Sequence, residues 1–419
     1  MNALLKKGRY GLKPMLQMLA ILAIPAQGQL DLHGFADARM GTRIDDRDER
    51  SLTELRLQLE REVFLERVSF QFRGDLLADD IADTHDIDLE NGSGWFDLRE
   101  ANAQFTPNDI IDVKAGRQIL TWGTGDLMFI NDLFPKDWVS FFSGRDEEYL
   151  KAPSDAVLIS AFPAAMNIDL VYVPRFDADR HLTGERISFY QPQGAGVIQT
   201  DQPDAVFGDD EWALRLSKNV GGVELAMYAY DGFWKSPAGQ DPARGVATFP
   251  RLREYGLSGR GTMGSGIAHL EFGYFDSLDD TAGDDPLVRN GETRLLAGYE
   301  REIGHELTMG VQYYVELMTD HGAYAATLQE GAPATDEDRH VLTARLTQQL
   351  MNQNLRLTLF GFWSPSDADG YVRPTVAYKV NDAWLVTAGG NLFFGQEDHT
   401  FFGQFEDNNN LYAGARYSF

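Results

Sequence analysis

Residues 307–317 read Leu-Thr-Met-Gly-Val-Gln-Tyr-Tyr-Val-Glu-Leu, and their pattern decides the fold. Leu307, Met309, Val311, Tyr313, Val315 and Leu317 alternate with Thr308, Gly310, Gln312, Tyr314 and Glu316. A period of two is that of a β-strand, whose successive side chains point to opposite faces, so one face here is apolar and the other wet. The run is also as long as a strand that crosses a bilayer at a tilt, whereas soluble strands average about five or six residues. Leu55, Leu57 and Leu59 repeat the pattern against Glu54, Arg56, Gln58 and Glu60. So do Leu355, Leu357 and Leu359 against Arg356 and Thr358, and Val372, Pro374, Val376 and Tyr378 against Arg373, Thr375 and Lys379. At the end of the chain, Leu411, Ala413, Ala415, Tyr417 and Phe419 alternate with Gly414, Arg416 and Ser418.

Working outward from these segments predicts strands near 30–42, 51–61, 66–78, 94–106, 110–121, 154–162, 166–174, 211–219, 222–232, 251–262, 266–276, 293–302, 305–318, 338–350, 353–364, 369–380, 383–394 and 409–419. Their number, 18, is even. Short connections such as Thr106-Pro107-Asn108-Asp109, Asn219-Val220-Gly221-Gly222 and Met263-Gly264-Ser265-Gly266 interleave with long ones near 121–153, 175–210, 233–250, 277–292, 319–337 and 395–408. Short turns on one rim and long loops on the other describe a transmembrane antiparallel β-barrel with periplasmic turns and extracellular loops. A soluble sandwich or propeller alternates too, but aromatics recur toward the segment ends (Trp212, Tyr255, Tyr274, Tyr299, Trp363, Trp384, Tyr417) as interfacial girdles do. In lipid every backbone N–H and C=O must be satisfied internally, so these strands close into one ring and residues 29–419 form one domain.

The chain has 419 residues, a net charge of −27, 41 Gly, 16 Pro and no Cys. Disulfides, thiolate metal sites and Cys nucleophiles are thereby excluded, and so strong an acidic balance argues against a nucleic-acid partner. The excess is larger beyond residue 28, because the first 28 residues hold four cations (Lys6, Lys7, Arg9, Lys13) and no acid. That basic stretch precedes an apolar run, Met15 to Ile24, and then Ala26-Gln27-Gly28, the pattern of an export signal cleaved before Gln29. The apolar run is too short to span about 30 Å of hydrocarbon.

Two motifs carry a resemblance. The terminal Leu411-Tyr412-Ala413-Gly414-Ala415-Arg416-Tyr417-Ser418-Phe419 resembles the C-terminal signal of bacterial outer-membrane barrels. That resemblance implies recognition by a barrel-assembly machinery through Phe419. Gly116-Arg117-Gln118 followed by Trp122-Gly123 resembles a signature of porin-like families, including alginate-export-type barrels. Together they imply an integral protein of a Gram-negative outer membrane, in contact with its lipid and lipopolysaccharide.

Signals for catalysis are weak. Gly259-Arg260-Gly261-Thr262-Met263-Gly264 fits GxGxxG but falls at a hairpin turn, not at the start of a helix. The eight histidines show no HExxH spacing, and no GxSxG elbow is present, although His33 or His340 has the composition to serve as a base on an outer wall. Acidic clusters in the long loops (Asp177, Asp179, Asp201, Asp204, Asp209 and Asp210; Asp276, Asp279, Asp280, Asp284 and Asp285; Asp336, Glu337 and Asp338) read as solvated faces, with divalent-cation binding the less favoured alternative. No catalytic residue, metal or cofactor is expected.

The inner wall is the informative surface. On the parity opposite the apolar face, the late strands carry Arg294, Arg345, Arg356, Arg373, Lys379 and Arg416 against Glu300 and Glu316. The early strands carry Asp31, Asp37, Glu54, Glu60, Asp75 and Glu100 against Arg39, Arg56 and Arg73. Either these charges orient solutes and set ion preference, or they pair locally and merely solvate the channel. The segment 121–153 is too long for a simple connection. Trp122, Phe129, Phe134, Trp138, Phe141, Phe142 and Tyr149 demand burial, and Asp132, Arg145, Asp146, Glu147, Glu148 and Lys151 supply charge. We expect it to fold into the lumen as a constriction, a cap over the outer mouth being the alternative. Arg117 falls on the lipid-facing parity of its strand, where a mid-membrane cation costs about 2–4 kcal/mol, so a bulge at Gly116 is expected to turn it inward. The leading functional expectation is a porin-like channel for passive diffusion of small polar or charged solutes. An export conduit for a polymer or lipid, working with periplasmic partners, and a barrel enzyme or structural adhesin are the alternatives.

Overall fold

In a computed structural model, residues 32–45, 49–81, 86–190, 197–328 and 333–419 are described. The export-signal segment lies outside them. Eighteen long strands follow one another: β1 (His33–Arg43), β2 (Arg50–Phe64), β3 (Val68–Asp79), β4 (Phe96–Asn108), β5 (Ile111–Ile119), β6 (Pro153–Ala161), β7 (Asn167–Val173), β8 (Glu211–Val220) and β9 (Val223–Phe233), then β10 (Arg251–Met263), β11 (Gly266–Ser277), β12 (Glu292–Gly304), β13 (Leu307–Met318), β14 (Asp338–Leu350), β15 (Leu355–Ser364), β16 (Asp369–Lys379), β17 (Trp384–Phe394) and β18 (Asn410–Ser418). Each pairs antiparallel with the next, and β18 pairs with β1, so the sheet closes. At the seam Phe419 N donates to Gly34 O at 3.0 Å, and Gly34 N donates to Phe419 O at 3.2 Å. Closure leaves no edge strand, the condition for placing a sheet in hydrocarbon.

The connections leaving even-numbered strands are short turns, and those leaving odd-numbered strands are mostly long. Gly221 and Gly222, at φ of 62° and 86°, form the turn between β8 and β9, a left-handed conformation that only glycine adopts twice in succession at little cost. Gly264 at φ 61° ends the GxGxxG stretch in the β10–β11 turn, as the hairpin reading requires. The helices, α1 (Trp138–Ser143) and α2 (His321–Thr327), are short. Among the described residues no helix is long and apolar enough to cross a membrane.

The side-chain distribution is inverted relative to a soluble domain. Leu55, Leu270, Tyr255, Leu359 and Trp363 are exposed on the outer face, while Asp75, Arg99, Glu211 and Glu254 are buried inside. The main hydrophobic core lies within the barrel, where Leu120, Ile130, Phe134, Phe141, Phe142 and Leu150 of the β5–β6 connection pack on Ala156, Val171, Leu252, Phe275, Phe360, Tyr371 and Phe393 of the wall.

Arg117 corrects one expectation. The β5–β6 register runs unbroken through Gly116↔Ala156, Arg117↔Asp155 and Gln118↔Ser154, so no bulge at Gly116 turns the side chain inward, although Gly116 has φ 120°. Arg117 stays on the outer parity but is covered there. It donates to Leu98 O at 2.6 Å and to Leu89 O, and pairs with Asp155 at 3.2 Å. Leu89, in the β3–β4 connection, also packs on the outward Phe72, Phe96 and Leu98. The bulge lies instead in β4, where Arg73 faces Glu100 and Gly74 faces Leu98, leaving Arg99 as the extra residue.

Candidate functional site: the loop inside the barrel

Residues 120–152 leave β5 and cross the lumen before returning to β6. The departure is built on Trp122 and Gly123. Trp122 meets Phe134 edge-on at 4.9 Å and Tyr228 of β9 at 6.0 Å, which turns the chain off the wall. Gly123 has φ 81°, and a Cβ there would sit 3.2 Å from the Glu271 carboxylate. The backbone beyond it wraps that carboxylate. Thr124 N and Gly125 N donate to Oε1, the latter at 2.8 Å, the Thr124 hydroxyl adds a bond at 2.8 Å, and Asn131 Nδ2 donates to Oε2 at 2.8 Å. Successive N–H groups converging on one carboxylate form an anion nest, here filled by a residue of β11.

Further along, Asp126 N donates to Gln312 Oε1 of β13 at 2.7 Å, and Gln312 Nε2 donates back to Asp126 O at 2.9 Å. The Asp126 carboxylate takes both prongs of Arg345 of β14, at 2.6 and 2.9 Å. Such two-point guanidinium–carboxylate pairs fix orientation as well as supplying attraction. Arg345 also reaches Glu147 at 3.1 Å, tying two distant parts of the loop to one wall residue.

Helix α1 begins because Asp137 caps it, its carboxylate accepting from Ser140 N at 2.6 Å, and ends at Gly144, φ 89°. Its two phenylalanines point to the wall. Phe142 lies 5.6 Å from Tyr371, 5.3 Å from Phe393 and 5.4 Å from Phe405, and Phe141 lies 5.9 Å from Tyr371. A Cβ on Gly144 would press into the ring of Tyr412 of β18, so the helix end lies flat on that wall.

Beyond α1 the contacts are ionic. Arg145 pairs with Glu54 of β2 at 2.6 Å and Asp79 of β3 at 3.4 Å. Asp146 lies 3.2 Å from Arg416 of β18 and 3.7 Å from Arg39 of β1, while Glu148 meets Arg416 at 3.1 Å. Tyr149 is held between two guanidinium groups, Arg56 at 4.0 Å and Arg99 at 5.0 Å from its ring centre, and its hydroxyl accepts from Gln58 at 3.0 Å. Lys151 donates to Thr121 Oγ1 at 2.6 Å, and Asp132 pairs with Lys136 at 3.1 Å, which closes the base of the loop.

The six basic wall residues therefore part company. Arg345, Arg373 and Arg416 touch the loop, Arg373 by donating to Arg145 O at 3.0 Å while lying 4.7 Å over Phe141. Arg294 pairs with Glu292 and Glu316 on the wall at 2.8 and 3.5 Å and does not reach the loop. Arg356 is exposed on the inner wall, and Lys379 pairs with Asp382 in the short β16–β17 turn at 2.8 Å. Trp138 sits under the next long loop, its Nε1 donating to Asp179 at 3.1 Å. Gln118 braces the departure point by donating to Ala156 O at 2.9 Å.

Sequence reasoning passed over Asp126, Glu271, Asp79 and Arg99, and saw in Gln312 only the polar parity of its strand. Glu271 and Gln312 lie on the inward parity of clear strands, so their direction was readable. Their partners were not, being loop backbone groups more than 100 positions away. A second layer was also unforeseen. Residues 174–190 run across the mouth, with Arg180 forked onto Asp97 at 2.7 and 2.9 Å, Arg186 on Asp79, and Ser188 N on Asn408 Oδ1 at 3.0 Å. Burial in this layer pushes the Asp177 carboxyl up to about 7, with the neighbouring Asp155 adding to the rise.

Outside the lumen, the ring nitrogens of His340 are taken by Tyr313 Oη at 2.6 Å and Asp338 at 2.7 Å on the outer wall. Among the described residues, no group of three or more acidic or histidine side chains is placed to hold a metal ion. The external acids serve local turns: Asp280 accepts from Asp284 N and Asp285 N at 3.3 and 3.0 Å.

No protein-family model and no curated protein sequence matches this chain. Solved structures do. OccAB3 of Acinetobacter baumannii is 11% identical with a TM-score of 0.56, over 93% of this chain and 99% of its own. OccD3 of Pseudomonas aeruginosa is 10% identical with a TM-score of 0.54, over 94% and 93%. Wzi of Escherichia coli, an outer-membrane protein described as a carbohydrate-binding β-barrel of capsule assembly, is 11% identical with a TM-score of 0.52, over 97% and 87%. At these identities the likeness is one of fold: this chain shares the closed barrel of solved outer-membrane proteins along nearly its whole length.

Proposed function

We propose that the chain is a porin-like channel of a Gram-negative outer membrane, through which small polar or charged solutes diffuse passively past a constriction made by residues 121–153. One observation carries this reading: a long loop lies inside an 18-stranded barrel with its carboxylates matched to arginines of the wall. A barrel of this strand number is wide enough to leave an aqueous lumen, and a polar interior is the condition for solute passage. The apolar outer face and the girdle residues Tyr255 and Trp363 suit contact with lipid, and the lipopolysaccharide leaflet would meet the long-loop rim. Export of the precursor through cleavage before Gln29, and assembly through the terminal Phe419, belong to the same proposal. The occupied, mixed-charge lumen weighs against a conduit for a polymer or lipid, which needs an unobstructed path.

The test is conductance in a planar bilayer, comparing the intact refolded chain with a deletion of residues 128–148. The proposal expects discrete openings that widen and lose ion preference on deletion. Silence before deletion and openings after it would make the barrel a plugged conduit, and silence in both would refute the channel.

A further inference from the structure

The sequence suggests a basic ladder on the late wall, yet the structure sets two of its arginines behind acids of the loop. Arg345 and Arg416 are 21% and 14% exposed, whereas their loop partners Asp126, Asp146, Glu147 and Glu148 are 37%, 32%, 47% and 41% exposed. The arginines point into loop carboxylates, and the carboxylates share their remaining surface with lumen water. In ion pairs, Arg39, Arg345 and Arg416 serve five carboxylates, Asp37, Asp126, Asp146, Glu147 and Glu148.

A second, independent observation concerns donors. The backbone nest at Thr124 and Gly125, the loop's natural anion site, is already filled by Glu271. The guanidinium nitrogens left without a partner on Arg99 and Arg373 are buried, with no surface turned to water. Beside Arg345 and Arg416, then, the surface left to lumen water is mostly carboxylate. Low-dielectric walls concentrate that field on the permeation path.

We propose that this constriction selects for cations, admitting small amines and guanidinium compounds in preference to carboxylates, with Glu147 and Glu148 as the determining residues and Arg345 and Arg416 as positioning residues. The inference rests on the channel reading and deepens it.

The experiment is the reversal potential of the full chain in a planar bilayer under a potassium chloride gradient, with liposome swelling in putrescine or succinate as a second readout. The expected result is a cation-to-anion permeability ratio of about 3 or more, since a fixed charge lining a narrow pore sets its preference. Putrescine should enter faster than succinate. Glu147→Gln with Glu148→Gln should lower the ratio at least about twofold, while Asp285→Asn, in an external loop, leaves it unchanged. Heat-modifiable migration checks that each variant is folded, and Glu148→Gln alone serves if the double variant is not. Anion preference in the intact channel, or a ratio that follows Asp285 and not the loop acids, would overturn this inference and leave the channel standing. No conductance at all would overturn the channel reading and this inference with it.

Discussion

On the β15–β17 side of the lumen the inward loop rests on aromatic rings, and on the β1–β4 side it rests on ion pairs. Phe141 and Phe142 enter a cluster with Tyr371, Phe393 and Phe405, whereas Arg145 and Tyr149 enter a lattice of Glu54, Asp79, Arg56 and Arg99. The difference separates two tasks. Burying an aromatic side chain contributes about 1.5–3 kcal/mol and is indifferent to salt. A buried ion pair contributes little net stability, because desolvation offsets attraction, but losing one partner is costly and wrong registers are excluded. The aromatic side holds the loop in, and the ionic side sets where its charges lie.

The largest effect that bears on this contrast is expected from Phe142→Ala, which empties the centre of the aromatic cluster and should cost about 3–5 kcal/mol of loop docking. Hydrogen exchange across residues 138–150 should accelerate equally at low and high salt; a loss confined to high salt would break the contrast. Arg145→Ala comes next at about 3 kcal/mol, because it strips a partner from the buried Glu54 and Asp79. Arg145→Lys, which keeps the positive charge, should recover part of that loss, and the same exchange measurement reads it.

Asp177 sharpens the comparison through pH. Its carboxyl is held up to about 7 in the folded protein, against an ordinary value of 3.8, so the docked layer binds the proton more tightly than the released one. Docking is therefore strongest below the lower value, weakens as pH rises through that window, and has lost the full amount above about 7. Asp177→Asn should protect the segment 174–190 from proteolysis at pH 8, by about 2 kcal/mol, and change nothing at pH 3.5. Equal protection at both pH values would show that the rise has another cause. Gly123→Ala is the smallest, at about 1–2 kcal/mol from the left-handed backbone, and should loosen the departure point while leaving both contact zones in place.

The barrel was legible because its signal is local: residues 307–317 specify β13 by alternation alone, and the same rule sets the boundaries of its neighbours to within a few residues. Sidedness was legible for the same reason, which is why Arg345 and Arg416 could be assigned to the inner wall. Arg117 shows the limit. Its parity was read correctly, but its cover comes from Leu89 and Leu98, in a connection and a strand that parity says nothing about. The inward loop could be named from its aromatics and charges, while its seat could not. Asp126 with Arg345, or Arg145 with Glu54, join positions 219 and 91 apart, and only closure of the ring brings them together. That Arg345 would present acids to the lumen, and not itself, follows from those pairings and was out of reach of composition.

The central claim, that residues 120–152 sit inside the barrel against the β14 wall, has a direct test because the chain contains no cysteine. Asp126→Cys and Arg345→Cys, introduced together, should be joined by a short bifunctional thiol reagent in the folded protein, as the native side chains meet at 2.6 Å. The account predicts that the link forms within one chain, shifts its electrophoretic migration and leaves the barrel folded. Failure to cross-link, with the thiol introduced at position 126 open to a bulky reagent from the long-loop side, would place the loop outside and contradict it.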